Sequence, residues 1–345
     1  KMSKRSSPVK IKKTIAFLAG GIGDQLYHFT QLRHLANDAP SGAIDLICMH
    51  TRPMLEIAAC CSWIDKVIDA APFRHLARPD RFLSACKMLK SEGYDRAVVF
   101  HRSTSLKLAA FIAGIPQRIG LSSSLVDNFL LTEPVSLSAG GARRIVWGHR
   151  PFIAALDAYF AQTGLDFQGD APVQPSVTHI KQISACYGSL PRPWTVVNLF
   201  VGDKQRRWRP EHAQERIKSF YERFGGTVFL NTGPDALGWH DQFISLWTGP
   251  ADAVVNLLPD EAPIALMVAL YHQADLYLGV DSFTANLALN CNLPAIIMFN
   301  KLSDHLTYRS HSYPLSPAPD KTLDSLTEED FNRAFNHFYR DILKL

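Results

Sequence analysis

The chain has 345 residues, with 36 Lys and Arg against 32 Asp and Glu and a formal charge of +4. At about 150 residues per domain this length points to two domains. A hydrophobic share of 47% with 20% charged residues excludes a disordered chain, and the small basic excess falls well short of a dedicated nucleic-acid binder. No run approaches the roughly 20 apolar residues needed to cross a bilayer, and no charged-then-apolar secretory segment opens the chain.

Residues 1–13 form a basic tail in which Lys1, Lys4, Arg5, Lys10, Lys12 and Lys13 face no acid; Lys1 precedes Met2, which reads as the natural first residue. The plain expectation is a solvated tail. The sharper one is peripheral contact with anionic lipid at the inner membrane, worth about 1 kcal/mol per basic residue near the surface. Apolar strand-length runs follow at 14–19, 44–49, 66–69, 96–100 and 144–147, then at 195–200, 227–231, 254–257, 275–278 and 295–299. Helical patterns lie between them, at 25–37, 105–113, 211–224 and 264–272, with a terminal one from 328 to 343. Continuous apolar strands alternating with helices imply parallel sheets buried on both faces, about five strands in each half.

The two series are separated by a Gly, Pro and polar stretch, which places a boundary between residues 166 and 193. The expected division is residues 14–170 and 171–326, with 327–345 as a closing helix. Cys48, Cys60, Cys61, Cys86, Cys186 and Cys291 form neither a C-x-x-C pair nor a zinc pattern. Buried free thiols fit a reducing, cytoplasmic setting.

Ligands of open α/β sheets bind where loops leave the carboxyl ends of strands. Four such loops carry chemistry. The first is Gly20-Gly21-Ile22-Gly23-Asp24, whose glycines allow a tight turn and close approach. Asp24 at the helix entry is either a functional carboxylate or a helix cap. The loop is not a dinucleotide fingerprint: Leu26 stands where a third Gly is required, and the second strand ends Cys48-Met49-His50 without an acid.

The second loop holds Lys204, Arg206, Arg207 and Arg209 ahead of Pro210, cations suited to a pyrophosphate at a helix start. In the third, Asp281-Ser282-Phe283-Thr284 joins a strand to a helix, so amides and hydroxyls could hold a phosphate. The fourth contains Gly233 and Asp235, a close approach and an acceptor for ribose hydroxyls, in a turn of common composition. His101 and Arg102 end a strand and are acceptor candidates. Trp208 reads as packing, His240 as a surface helix residue, and His149 as a residue that follows the strand at 144–147.

Taken in order, these loops resemble the bacterial heptosyltransferases of lipopolysaccharide core synthesis, glycosyltransferase family 9. Gly21-Ile22-Gly23-Asp24 is similar to that family's Gly-Asp turn. The segment 100–121, with Lys107 and Arg118, is similar to its acceptor side. Arg206-Arg207-Trp208 before Pro210 resembles its Lys-x-Trp-Pro motif, and Asp281-Ser282 its Asp-Ser/Thr-Gly helix start. Three positions depart: Arg206 replaces lysine, Phe283 a glycine and Asn286 a histidine.

The resemblance implies an α/β GT-B fold, two Rossmann-like doubly wound domains facing a cleft, with the closing helix packed back toward the first. It implies inverting transfer of a sugar, ADP-heptose favoured, from a nucleotide-diphosphate sugar donor to a glycolipid or glycan acceptor. Asp24 would be the base and Arg206 the phosphate cation. Gly23, Lys204, Arg207, Gly233, Asp235, Asp281, Ser282, Phe283 and Thr284 would bind donor, and Lys107, Arg118 and His101 would bind acceptor. No cofactor is implied, and no Asp-x-Asp metal motif occurs in the chain. Open alternatives are a GT-B transferase with another nucleotide sugar or a protein acceptor, and a non-catalytic sugar-nucleotide-binding module.

Overall fold

The computed structural model describes residues 13–74, 76–136, 171–231, 237–257, 263–300 and 311–338. The expected strand at 144–147, His149, Gly233, Asp235 and all of the basic tail except Lys13 lie outside them. The chain divides into two compact units, Lys1–Gly169 and Asp170–Leu345. No described helix is long and apolar enough to cross a membrane.

The first unit carries β1 (Thr14–Phe17), β2 (Ile44–Cys48), β3 (Ile64–Asp69), β4 (Arg96–Val99), β5 (Gln117–Ser122) and β6 (Glu133–Ser136). They pair in the order β3-β2-β1-β4-β5-β6, all parallel. Parallel neighbours need long crossovers, and helices Phe29–Asp38, Thr51–Ala58, Pro79–Glu92, Thr104–Ile112 and Leu125–Leu130 lie in them. The second unit repeats the pattern with β7 (Trp194–Asn198), β8 (Thr227–Asn231), β9 (Val254–Leu257), β10 (Leu276–Val280), β11 (Ala295–Met298) and β12 (Ser312–Leu315). Their order is β12-β11-β10-β7-β8-β9, again all parallel. Helices Pro210–Phe224, Leu237–Leu246, Ile264–Gln273 and Phe283–Asn290 lie in its crossovers.

Among the described residues each sheet therefore has six strands, where apolar runs alone indicated about five. The strands missed are β5, β6 and β12. Both β6 and β12 are edges and contain a proline, Pro134 and Pro314. An edge strand is buried on fewer sides and tolerates Pro, so it lacks the apolar run that marks β1, β7 or β10, whose every residue is buried. The expected helix at 25–37 is two helices, Ile22–Leu26 and Phe29–Asp38. They break at His28, whose amide bonds Gln25 O, three residues back, while its ring packs 4.9 Å from that of Phe100.

The described part of the closing helix, from Glu328 to His337, packs into the second unit. Phe331, Ala334 and Phe335 recur at helical spacing and are buried with Trp208, Phe220 and Phe224 in the second unit's core. The Trp208 and Phe331 rings stack 5.3 Å apart with planes 12° from parallel. This apolar stripe is satisfied where it lies. Phe331→Ala is expected to lower the stability of the second unit by about 3–5 kcal/mol, measured as a shift of its urea unfolding midpoint.

Candidate functional site

In both sheets the first strand lies between its successor and the fourth, so strand order reverses there. Such a reversal parts the loops leaving the two strands and opens a crevice at their carboxyl ends. In the second unit it falls between β7 and β10, whose loops contain Arg206 and Asp281.

The structure brings these two residues together. Arg206 Nη1 donates to Asp281 Oδ2 at 3.0 Å and to Asp281 O at 3.3 Å. Arg206 Nε also donates to Asp203 Oδ2 at 3.3 Å. Asp281 is the more buried partner, its side chain 16% exposed against 37% for Arg206. Arg206 Nη2 donates to no described residue, which leaves one edge of the guanidinium for an anion. Lys204 is exposed at the start of a short 3-10 turn, Lys204–Arg206.

Arg207 is used differently. Its Nε and Nη2 donate to Val201 O at 2.9 Å and Gly202 O at 3.2 Å, and its guanidinium lies 4.1 Å from the Phe200 ring centroid. It folds the loop on itself and leans on an aromatic face. Trp208 is packing, as its composition suggested, with 1% of its surface exposed.

The hydroxyls of Ser282 and Thr284 also turn inward. Asn198, at the end of β7, donates from Nδ2 to Ser282 Oγ at 3.0 Å and to Thr284 Oγ1 at 2.6 Å. Tyr277 OH lies 2.9 Å from Thr284 Oγ1. Burial pushes the Tyr277 phenol up to about 12, so it stays protonated. A Cβ on Gly279 would sit 2.7 Å from Asn198 O and 2.8 Å from Tyr277 OH, so glycine is required there. Ser282 caps the helix Phe283–Asn290 and accepts from Ala285 N. Asn286 Nδ2 donates back to Ser282 O at 3.1 Å. Ser282 and Thr284 hold the loop from beneath; Phe283 is half-buried at the first helical position. Asn198 and Tyr277 were missed in the sequence. Their signal was a polar side chain inside strands otherwise apolar.

In the first unit the reversal falls between β1 and β4. The residue after β4 is tied to the end of β1 by Phe100 N donating to Phe17 O at 2.9 Å. Asp24 is the third residue of helix Ile22–Leu26, and its Oδ2 accepts from Gly21 N at 3.0 Å. The capping role left open by the sequence is therefore present, and the residue remains half-exposed, as does Gly23. Gly20 has φ +100, and a Cβ there would meet Asp24 Oδ2 at 3.0 Å. His101, on the neighbouring loop, is half-exposed and accepts at Nδ1 from Ser103 N at 3.0 Å.

The two expected acceptor cations both have partners within the first unit. Lys107 is wholly buried and pairs with the equally buried Asp127 at 2.9 Å. Lys107 Nζ also donates to Arg102 O at 3.3 Å, and Asp127 Oδ2 accepts from Ser123 N and Oγ at 3.0 and 2.9 Å. The pair joins the loop after β4 to the loop after β5. Burial would raise the Asp127 carboxyl, but its bonds to Lys107 and Ser123 outweigh that and hold it below the usual range. Arg118 donates to the carbonyls of Leu130, Ile115 and Pro116. Lys107 lies between two leucines on an apolar helix, the sequence sign of a buried pair.

His240 is a further correction. It is fully buried, not at the surface. Its Nδ1 lies 2.8 Å from Asn256 Oδ1, and its buried Nε2 has no partner among the described residues. Burial pulls its pKa below the ordinary 6.5.

No protein-family model matches the chain, and no curated protein sequence matches it. Solved structures do. A glycosyl transferase family 9 structure from Veillonella parvula DSM 2008 aligns with TM-score 0.75 at 15% identity, over 98% of this chain and 99% of that one. The fold is GT-B. The E. coli ADP-heptose lps heptosyltransferase II aligns with TM-score 0.72 at 18% identity, over 96% and 99%. An E. coli heptosyltransferase with ADP-2-deoxy-2-fluoro heptose aligns with TM-score 0.67 at 13% identity, over 94% and 99%. This chain shares its architecture with all three.

Two outcomes follow. Lys107→Met, which strands Asp127 without its buried partner, is expected to cost about 3–5 kcal/mol in urea denaturation, and Lys107→Met/Asp127→Leu to cost less. Because the folded state resists protonating His240, the unfolded state binds more protons as pH falls below 6.5. Stability is then lost on acidification from that pH, and His240→Gln should flatten this part of a melting-temperature profile.

Proposed function

We propose that this protein is an inverting glycosyltransferase. It transfers a sugar from a nucleotide-diphosphate donor, ADP-heptose favoured, to a lipopolysaccharide core or related glycan. The observation that carries the reading is the bond between Arg206 and Asp281 at the strand reversal of the second sheet. Cation, carboxylate and helix start converge where an α/β sheet takes its ligand. The likeness to solved heptosyltransferases supports it, one of them solved with an ADP-heptose analogue.

In this reading the second unit holds the donor. Arg206, assisted by exposed Lys204, bears the charge that grows on the leaving diphosphate, together with the amides after Asp281. Asp281 fixes the guanidinium through its carboxylate. Asn198, Tyr277, Ser282 and Thr284 position the loop. Gly233 and Asp235 complete the donor side near the nucleoside. Asp24 of the first unit takes the proton of the acceptor hydroxyl as its oxygen attacks the anomeric carbon, with inversion. General-base help of this kind contributes on the order of 10²- to 10⁴-fold. His101 lies on the loop neighbouring Asp24 and serves the acceptor. The enzyme works on the cytoplasmic side, where its basic tail draws it weakly toward anionic lipid.

A second reading, a transferase for another nucleotide sugar, draws on one observation. A UDP-GlcNAc 2-epimerase from Methanocaldococcus jannaschii aligns with TM-score 0.54 at 13% identity. Thermal shift with ADP, UDP and GDP separates the two; stabilisation by UDP alone would count against ADP-heptose.

Asp24→Ala is expected to lower turnover by on the order of 10²- to 10⁴-fold while donor affinity by calorimetry stays near wild type. Arg206→Ala is expected to weaken donor binding about 10- to 100-fold. Unchanged release of nucleoside diphosphate in both variants would refute the reading.

A further inference from the structure

We propose that an apolar face of the first unit is a docking surface for an anionic phospholipid bilayer. It is built by helix Leu125–Leu130 and the end of helix Thr104–Ile112. On the short helix Leu125 is 87% exposed, Phe129 71% and Val126 56%; beside them Phe111 is 37% and Ile112 39% exposed. The rings of Phe111 and Phe129 meet at 5.4 Å, so the two helices make one patch rather than scattered residues. A contiguous patch of this kind marks an interaction site.

Charge selects the occupant. Between Phe100 and Thr132 the sequence holds one acid, Asp127, and that carboxylate is fully buried against Lys107. The exposed face therefore carries no carboxylate from this stretch. Arg118 stands at its rim, its guanidinium carbon 5.3 Å from the Phe111 ring centroid. Its Nε and Nη1 hold the carbonyls of Leu130, Ile115 and Pro116, while Nη2 donates to no described residue. Apolar side chains with a guanidinium at their rim match acyl chains beneath a layer of lipid phosphates. A second copy of the chain fits less well. In an isologous contact the patch would meet itself, bringing Arg118 of both copies into one interface with no acid from this stretch to pair with either.

The place is also apt. The loop that feeds the short helix leaves the carboxyl end of β5, the same sheet edge from which the Asp24 loop leaves β1. A bilayer held there would present the head of a glycolipid to that edge. The purpose of the contact rests on the proposed glycosyl transfer; the contact itself does not.

The test sediments the full-length protein with vesicles of phosphatidylglycerol and phosphatidylcholine. Binding is expected to rise with the phosphatidylglycerol fraction. Leu125→Asp/Phe129→Asp is expected to lower partitioning by about tenfold or more, with melting temperature and vesicle-free release of nucleoside diphosphate unchanged. If that variant does not fold, Leu125→Ser/Phe129→Ser reads the same face. The proposal is overturned if wild type ignores phosphatidylglycerol vesicles, if it binds pure phosphatidylcholine equally, or if the folded variant binds like wild type. It is overturned too if the substitutions instead dissociate a dimer seen by analytical ultracentrifugation. Absence of nucleotide release in every protein would defeat the glycosyltransferase reading and leave the vesicle result standing.

Discussion

The side chain of Asn198 joins the two loops on which the second unit's site depends. It sits at the last position of β7, where its amide reaches Ser282 and Thr284 from below and its Oδ1 accepts from Phe200 N at 3.1 Å. A buried amide is costly unless its groups are bonded, so these loops are locked to each other rather than merely adjacent. Tyr277 and the absent side chain of Gly279 complete the lock. Above it, Asp281 turns its carboxylate to Arg206. The polar layer beneath supplies rigidity, and the ion pair above it supplies the charge that a ligand would meet.

The cations divide by environment. Lys204, Arg206, Arg207, Lys107 and Arg118 were all singled out as donor or acceptor contacts, and a charged side chain carries no mark of where it will point. Arg206 and Lys204 remain at the surface of the β7 loop. Arg207 and Arg118 bond carbonyls of their own neighbourhoods, and Lys107 is sealed in with Asp127. A buried ion pair adds little net stability but is costly to break. Its effect here is to bind the loop after β4 to the loop after β5. The same seal removes the stretch's one acid from the surface beside Leu125 and Phe129, which makes the exposed patch both apolar and cationic.

Legibility in the sequence followed burial. The central strands announced themselves because both faces are covered, and alternation with helices implied parallel sheets. The edges β6 and β12 were silent, since a half-covered strand carries Glu133 or Pro314 without penalty. His240 shows the converse error: a histidine beside an aspartate reads as surface, yet helix Leu237–Leu246 turns it under the sheet edge to Asn256. Asp24 was legible as a helix-entry acid, and its bond to Gly21 N agrees with the cap while leaving it half-exposed.

From residue order alone came the two-sheet α/β plan, the loops that end its first and fourth strands, and the motif residues Asp24, Arg206 and Asp281. These are local properties: hydrophobic period, glycine at a turn, and charge next to a helix start. Tertiary structure alone decided which charges are spent internally, that Ser282 and Thr284 face inward, and that Phe331 stacks on Trp208 in the second unit. The inward turn of Ser282 and the stacking of Phe331 are set by partners far away in the chain, Asn198 and Trp208. Such pairings arise only when strand order closes the sheet and leaves each polar group either bonded or wet.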